Sequence, residues 1–298
     1  MGLALPALKY LVEEYRRKPF PGPILTLGRQ CIYATEGEIR QLLIEMEVVL
    51  REPPIGIQRN TNITAWKNIP YAKYASDQLF FGLLTGQNVE TLDISNYEDA
   101  EYVWDLNQPV PAEWRGKFGT VIDAGTSEHI FDVRQNLQNV NILLKNGGRL
   151  FHLSPANNYM EHGYYQFSPV VFHDYYGVNG FVDMRCILVE QRPWALMRGH
   201  WQKWDWSTKR PATNIISHQM LEVFFTAEKV SNSTVDKTPQ QGFSYEISDF
   251  SRTRAGHLGG LKAKLYYFLP QSLVILAKRL LGFDKSVKPW GLRFRGKL

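Results

Sequence analysis

The stretch Thr120–Pro155, TVIDAGTSEHIFDVRQNLQNVNILLKNGGRLFHLSP, constrains the fold more than any other part of the chain. Thr120–Ala124 is a short, β-branched apolar run of the kind that suits a buried strand. Gly125-Thr126-Ser127 breaks it. Asp132 can cap a helix reaching about Lys145, with Val133, Leu137, Val140 and Leu144 on one face. Asn146-Gly147-Gly148 stops that helix, Arg149–Leu153 reads as a second strand, and Ser154-Pro155 ends it. Strand, helix and strand in so short a span predict a βαβ unit, normally parallel and right-handed. Ligands of such sheets bind beyond the carboxyl ends of the strands. That rule points to Asp123–His129 and His152–Asn158 as the candidate site.

Other segments repeat the alternation. Ile24–Gly28 reads as a strand, and Thr35-Glu36-Gly37-Glu38 is a capping box ahead of Ile39, Leu42, Leu43 and Met46 at helical spacing. Ile55–Tyr74 lacks a period and reads as a loop over the site. Ser76–Leu84 reads as a helix, Val89–Ile94 as a strand, and Tyr102–Trp104 as a short strand. Ser168-Pro169 starts a helix that runs to about Val178. Phe181–Gln191 and Leu221–Val230 read as strands, joined by a long Trp-rich connection in which Ile215–Met220 could form a short helix. The alternation predicts an α/β fold, an open, doubly wound, mostly parallel sheet with helices on both faces. The boundaries expected are an N-terminal helix at 1–20, the α/β domain at 21–230, a polar linker at 231–250 and a C-terminal extension at 251–298.

With 298 residues, 44% of them hydrophobic, a full core is within reach. Cys31 and Cys186 sit in apolar strand-like runs and read as buried free thiols. The start, MGLALPALKYLVEEY, lacks a basic leader and reads as an amphipathic helix; Pro6 spoils the myristoylation pattern. No run reaches the roughly 18 apolar residues of a membrane span. The net charge of +5 is uneven: residues 251–298 hold 11 Lys and Arg against one acid, Asp284, so the remainder is mildly acidic.

Read by strand ends, the chemistry gathers at Gly28, Asp93, Asp105, Asp123–Glu128 and His152–Asn158. A carboxylate accepts hydrogen bonds from both hydroxyls of a ribose, and an acid beside a backbone N–H can read adenine. A lone Asp at a strand end is more often a turn or cap residue; the coincidence of three in one fold carries the reading.

VETLDISNYEDAEYVWDLNQPVP, followed by FGTVIDAGTSEHIFDVRQNLQNVNILLKNGGRLFHLSPANNYMEHGYYQFSP, resembles class I S-adenosylmethionine-dependent methyltransferases. It is similar to the branch with a D-L-N-x-P and a G-T-x-E-H segment, over roughly Ile24–Val230. The resemblance implies a seven-stranded Rossmann-like sheet, S-adenosylmethionine as cofactor, and methyl transfer to a small-molecule, glycan- or lipid-linked acceptor. Carried over, Gly28 would pass under the methionine part of the cofactor and Arg29 would meet its carboxylate. Asp93 would hold the ribose hydroxyls, Asp105 and Leu106 would face the adenine, and Ala124, Gly125 and Thr126 would line the pocket floor. Two departures stand out: the glycine-rich loop keeps one glycine, in Leu27-Gly28-Arg29-Gln30-Cys31, and Asp93 lies 65 residues beyond Gly28, against about 20 in a plain dinucleotide fold.

A sulfonium methyl is already activated, so such a protein mainly positions an in-line nucleophile. For a hydroxyl nucleophile a general base near neutral pH helps; His129 and His162 are the chosen candidates, with His152 a third. A hydrogen-bonded structural histidine is the plainer reading of each. Asn157, Asn158, Tyr164 and Tyr165 are candidates to orient a substrate, against an ordinary ordered loop. His152, His162 and His173 with Asp174 match no zinc spacing, so no metal is expected. Gln271–Leu281, apolar and followed by basic residues, suits an interfacial helix on an anionic membrane, against a helix packed on the body. Nucleic acid is disfavoured by the apolar content of the tail. The location expected is cytoplasmic, with a peripheral place at the membrane left open. Two other classes compete: a cofactor-binding protein without turnover, favoured by the single glycine, and an NAD-dependent oxidoreductase, disfavoured by the missing G-x-G-x-x-G.

Overall fold

A computed structural model describes residues 2–61, 74–191, 201–206, 217–240 and, as backbone, 293–297. Its centre is a nine-stranded sheet. Five strands are parallel neighbours: β2 (Ile24–Leu27), β4 (Val89–Asp93), β5 (Tyr102–Val103), β6 (Phe118–Ala124) and β7 (Leu144–Asn157), in the order β5-β4-β2-β6-β7. Beyond β7 come β10 (Leu221–Glu228), β8 (Val182–Glu190), β9 (Gln202–Trp206) and β11 (Arg293–Lys297), each antiparallel to its neighbour. A two-residue parallel pair, β1 (Gly2–Leu3) and β3 (Cys31–Ile32), stands apart.

Helices cover both faces, and strand alternation sorts the apolar side chains between them. One core joins Ile24, Ile122, Phe151 and Phe224 to α1 (Leu5–Arg17), α2 (Glu36–Glu45) and α3 (Asp77–Thr85) through Leu8, Leu11, Ile39, Leu43, Leu79 and Phe80. The other joins Leu25, Val121, Leu150 and Phe225 to α4 (Val133–Leu143) and α5 (Pro169–Val178) through Leu137, Val140, Phe172 and Tyr176. The helix starts read from the sequence are present. Thr35 and Glu38 form the capping box, and Ser76, Asp132 and Ser168 cap α3, α4 and α5.

Three expectations are corrected. The helix after Asp132 ends at Leu143, and Leu144 already belongs to β7, so Asn146-Gly147-Gly148 lies within the strand that follows. Part of the Trp-rich connection, Gln202–Trp206, is a strand. It pairs antiparallel with β8. The strands expected at Phe181–Gln191 and Leu221–Val230 appear as β8 and β10 and pair directly and antiparallel, so no crossover helix is required between them. The helix read at Gln271–Leu281 and most of the loop at Ile55–Tyr74 lie outside the described residues. No helix of the described residues is long and apolar enough to cross a membrane.

Candidate functional site

The strand order reverses at β2, which has β4 on one side and β6 on the other. In open α/β sheets this switch point opens a crevice outside the carboxyl ends of the strands. Gly28 leaves β2 at φ 72° and donates its N–H to the Leu92 carbonyl at 2.8 Å. A Cβ added to Gly28 would stand 3.2 Å from Thr126 Oγ1 and 3.7 Å from Asp93 Oδ2. Three sequence-predicted residues, from three strands, thus meet around one small backbone gap. Thr126 Oγ1 donates to the Leu27 carbonyl at 2.7 Å, tying the turn after β6 to the end of β2. Asp93 accepts from Ser95 N at 3.2 Å, and its carbonyl accepts from Trp104 N at 2.8 Å, which brings the Asp105–Leu106 turn alongside. Asp105 Oδ1 accepts from both nitrogens of Asn107, and Leu106 is buried.

Arg29 is largely committed within the protein. Its Nε and Nη2 donate to the Glu98 and Asp99 carbonyls, and Nη2 also reaches Glu101. Nη1 lies 3.6 Å from Asp77 Oδ1, without a hydrogen-bond acceptor among the described residues.

The turn after β6 is built by Asp123. Its Oδ1 accepts from the backbone N–H of Thr126 and Ser127, and its Oδ2 from Ser127 Oγ and from His152 Nδ1. Gly125 takes φ 95°. Burial works against this carboxylate, but the hydrogen bonds and charge of His152, with Ser127, outweigh it and hold Asp123 below its ordinary value. His152 is fully buried, stacked on Phe172 and bonded through Nε2 to the Tyr176 hydroxyl. It is a structural histidine, out of reach of a substrate.

The turn carries Glu128 and His129 toward the segment 159–165. Glu128 is fully buried, and neither carboxylate oxygen has a hydrogen-bond partner among the described residues. Its carbonyl accepts from Tyr164 N at 2.8 Å and Tyr165 N at 3.2 Å. The approach leaves no space for a side chain at Gly163, whose added Cβ would meet that carbonyl oxygen at 2.8 Å. His162 Nε2 stands 3.4 Å from Glu128 Oε1 and His129 Nε2 stands 3.9 Å from it, with the two imidazole centres 5.2 Å apart. Burial pushes the His129 imidazole below its usual value, aided by His162 and opposed by Glu128.

Beside this cluster lies a cavity of about 380 Å³ along the same sheet edge. Ala124, Leu153 and Phe224 come from the sheet, Leu3, Ala4 and Ala7 from the N-terminal segment, and Tyr33, Trp201 and Met220 from connections. Its polar groups are Tyr159, His162, Gln191 and Glu222. Tyr159 Oη and Gln191 Nε2 both donate to Glu222 Oε1, at 2.7 and 2.6 Å. Burial, with the charge of Glu128, pushes Glu222 up to about 7.

Of the expected substrate residues, none lines this cavity. Asn157 is exposed at the end of β7. Asn158 donates to the Ser217 and Gln219 carbonyls, at 2.9 and 2.6 Å, and so braces a loop. Tyr164 packs edge-on against Phe131, and Tyr165 donates to the Phe131 carbonyl. Tyr159, Gln191 and Glu222 were missed. A Glu inside the apolar run LEVFFTA was the available signal for Glu222.

No family model matches the chain, and no curated protein does. Solved structures similar to it include the Burkholderia thailandensis 1,6-didemethyltoxoflavin-N1-methyltransferase with bound S-adenosylhomocysteine, at 12% identity, TM-score 0.40, covering 76% of this chain and 80% of that one. A possible histamine N-methyltransferase from Thermotoga maritima matches at 11% identity, TM-score 0.37, over 75% and 89% of the two chains. A S-adenosylmethionine-dependent methyltransferase from Archaeoglobus fulgidus matches at 12% identity, TM-score 0.38, over 74% and 94%.

Proposed function

We propose that the chain is an S-adenosylmethionine-dependent methyltransferase acting on a small molecule, or on the end of a glycan- or lipid-linked acceptor. The observation that carries the reading is the adjacency of two features along one sheet edge. Gly28, Asp93 and Thr126 meet at the switch point, and Ala124, at the end of β6 two residues before Thr126, lines the cavity. The fit to the cofactor rests on the gap at Gly28, which a Cβ would fill, and on an acid at the next strand end.

In this reading Gly28 admits the methionine portion, with Arg29 Nη1 as a donor for its carboxylate. Asp93 accepts from the ribose hydroxyls, Asp105 and Leu106 flank the adenine, and Ala124, Gly125 and Thr126 form the floor. S-adenosylmethionine supplies a methyl group that its sulfonium has already activated. The acceptor enters the apolar cavity, which excludes water, and Tyr159, Gln191 and Glu222 orient its polar end. His162, with His129 close by, takes up the proton that a hydroxyl nucleophile loses, and Glu128 stabilises the resulting imidazolium. The tail at 251–298 would bring a lipid-linked acceptor to this edge by holding the enzyme at an anionic membrane from the cytoplasmic side.

A second reading, cofactor binding without turnover, is favoured by the single-glycine loop and by the commitment of Arg29 to Asp77, Glu98, Asp99 and Glu101. Calorimetry with S-adenosylmethionine, S-adenosylhomocysteine and NAD, followed by methyl transfer to co-purified small molecules identified by mass spectrometry, separates the readings. Binding of the first two with transfer supports the enzyme, and binding without transfer to any of them the second reading. Binding of NAD alone overturns both.

A further inference from the structure

We propose that Glu128, His129 and His162 form a binding site for one divalent transition-metal ion of the zinc class. The three residues each offer a ligand atom, and these atoms lie within 4.8 Å of one another. Ligands at about 2.0–2.2 Å from a tetrahedral zinc ion stand roughly 3.4 Å apart. His162 Nε2 and His129 Nε2 stand 3.4 and 3.9 Å from Glu128 Oε1, so a small closure completes the geometry.

The independent sign of a missing cation is Glu128 itself. Its carboxylate is fully buried, and among the described residues neither oxygen has a hydrogen-bond partner, nor does His162 Nε2. A buried carboxylate without partners is costly and is met by pairing or by metal coordination. The surrounding backbone fixes the cluster. Asp123 locks the turn that carries Glu128 and His129, and the Tyr164 and Tyr165 N–H groups hold the Glu128 carbonyl. The two imidazoles are 45% and 33% exposed, which leaves an entry path for an ion, and three protein ligands leave a fourth position for a water or substrate oxygen. Two nitrogens and one oxygen select zinc and its transition-metal neighbours over magnesium or calcium, which prefer all-oxygen shells.

Ion binding stands independently of the methyltransferase reading; only a role in turnover rests on it. There the ion would hold the acceptor's hydroxyl oxygen in its open position and lower its pKa so that the proton leaves to solvent, replacing the base role of His162, whose Nε2 is then a metal ligand.

The test is calorimetric titration of the chelator-treated full chain with Zn²⁺ and with Mg²⁺, and with Co²⁺ followed by its visible spectrum. One Zn²⁺ per chain, no Mg²⁺ binding at matched concentration, and a Co²⁺ spectrum of low coordination number are expected. Glu128→Gln and His162→Ala should each weaken Zn²⁺ binding at least tenfold, while His173→Ala leaves it unchanged. His129→Ala, at a half-exposed position, keeps the test informative if the buried Glu128 variant fails to fold. Absence of stoichiometric Zn²⁺ binding, or unchanged affinity in both histidine variants, overturns the site. S-adenosylmethionine affinity, measured without metal on the same samples, reports separately on the cofactor site.

Discussion

Asp123 Oδ2 and His152 Nδ1 lie 2.7 Å apart, both fully buried, and the same carboxylate closes the turn that presents Thr126 and Glu128. The pair is therefore a structural hub beneath the site. Its carboxylate titrates below the ordinary value, so its contribution is present above the unfolded pKa of about 3.9 and is lost as pH falls through the folded value. We expect Asp123→Ala to cost about 3–5 kcal/mol, the scale of breaking a buried pair. Asp123→Asn should flatten the fall of stability below about pH 4. Urea unfolding across pH 3–7 checks both, and an unchanged acid limb in Asp123→Asn would show that Asp123 does not carry it.

The crevice makes its own demand on Gly28. At φ 72° an L-residue loses roughly 1–2 kcal/mol, and a Cβ there would press on Thr126 Oγ1. Gly28→Ala should lower stability by about that amount. Asp93→Ala should instead leave stability nearly intact and weaken S-adenosylmethionine binding by about 1.5–3 kcal/mol, the scale of a lost charged hydrogen bond. Calorimetry and thermal melts on the two variants separate the effects. A folded Asp93→Ala that binds like the parent sinks its assignment to the ribose.

Local signals carried the parallel strands and the helices between them, but not the strand order. Thr35, Ser76, Asp132 and Ser168 cap helices because capping depends on neighbours a few residues away. Asp93 and Gly28 were legible because a parallel sheet brings strand ends to one edge. The cavity was not. Tyr159, Gln191 and Glu222 come from three distant segments, and only the antiparallel pairing of β10 with β7 and β8 unites them. The approach of His162 to Glu128 was hidden for the same reason, since His162 arrives through the loop folded back by Gly163. The strand at Gln202–Trp206 escaped because its QKWDW run lacks the apolar content of a core strand.

The N-terminal helix is tied to the sheet by charge. Arg149 is fully buried; it donates to the Glu14 and Lys18 carbonyls and to Glu14 Oε2 at 3.0 Å, and Arg17 and Arg185 share that carboxylate. The same segment supplies Leu3, Ala4 and Ala7 to the cavity wall. Glu14→Gln should cost about 3–5 kcal/mol, because it strands a buried guanidinium. Arg149→Met added to it should recover a large part, since a buried pair replaced by apolar groups is often neutral. Chemical denaturation of the single and double variants gives the answer, and a double variant no better than the single one would place the loss in packing.

The tail joins chemistry to location. Residues 251–298 carry 11 Lys and Arg and one acid, beside the apolar run QSLVILAKRLL. Of the residues the structure describes, removing them takes away only β11, the outermost strand, which pairs with β9 at the sheet edge remote from the switch point. We therefore expect the chain cut after residue 250 to fold and to keep its cofactor affinity. The full chain should bind vesicles containing phosphatidylserine better than the truncated one. Each Lys or Arg near such a surface is worth about 1 kcal/mol, and salt should weaken the attraction as the Debye length shortens from about 10 Å at 0.1 M to about 3 Å at 1 M. Co-sedimentation of both forms with neutral and anionic liposomes, at low and high salt, makes the comparison. Equal partitioning would remove the membrane from the account. An insoluble truncated chain would make the tail part of the folded body, with β11 needed to cover the edge of β9.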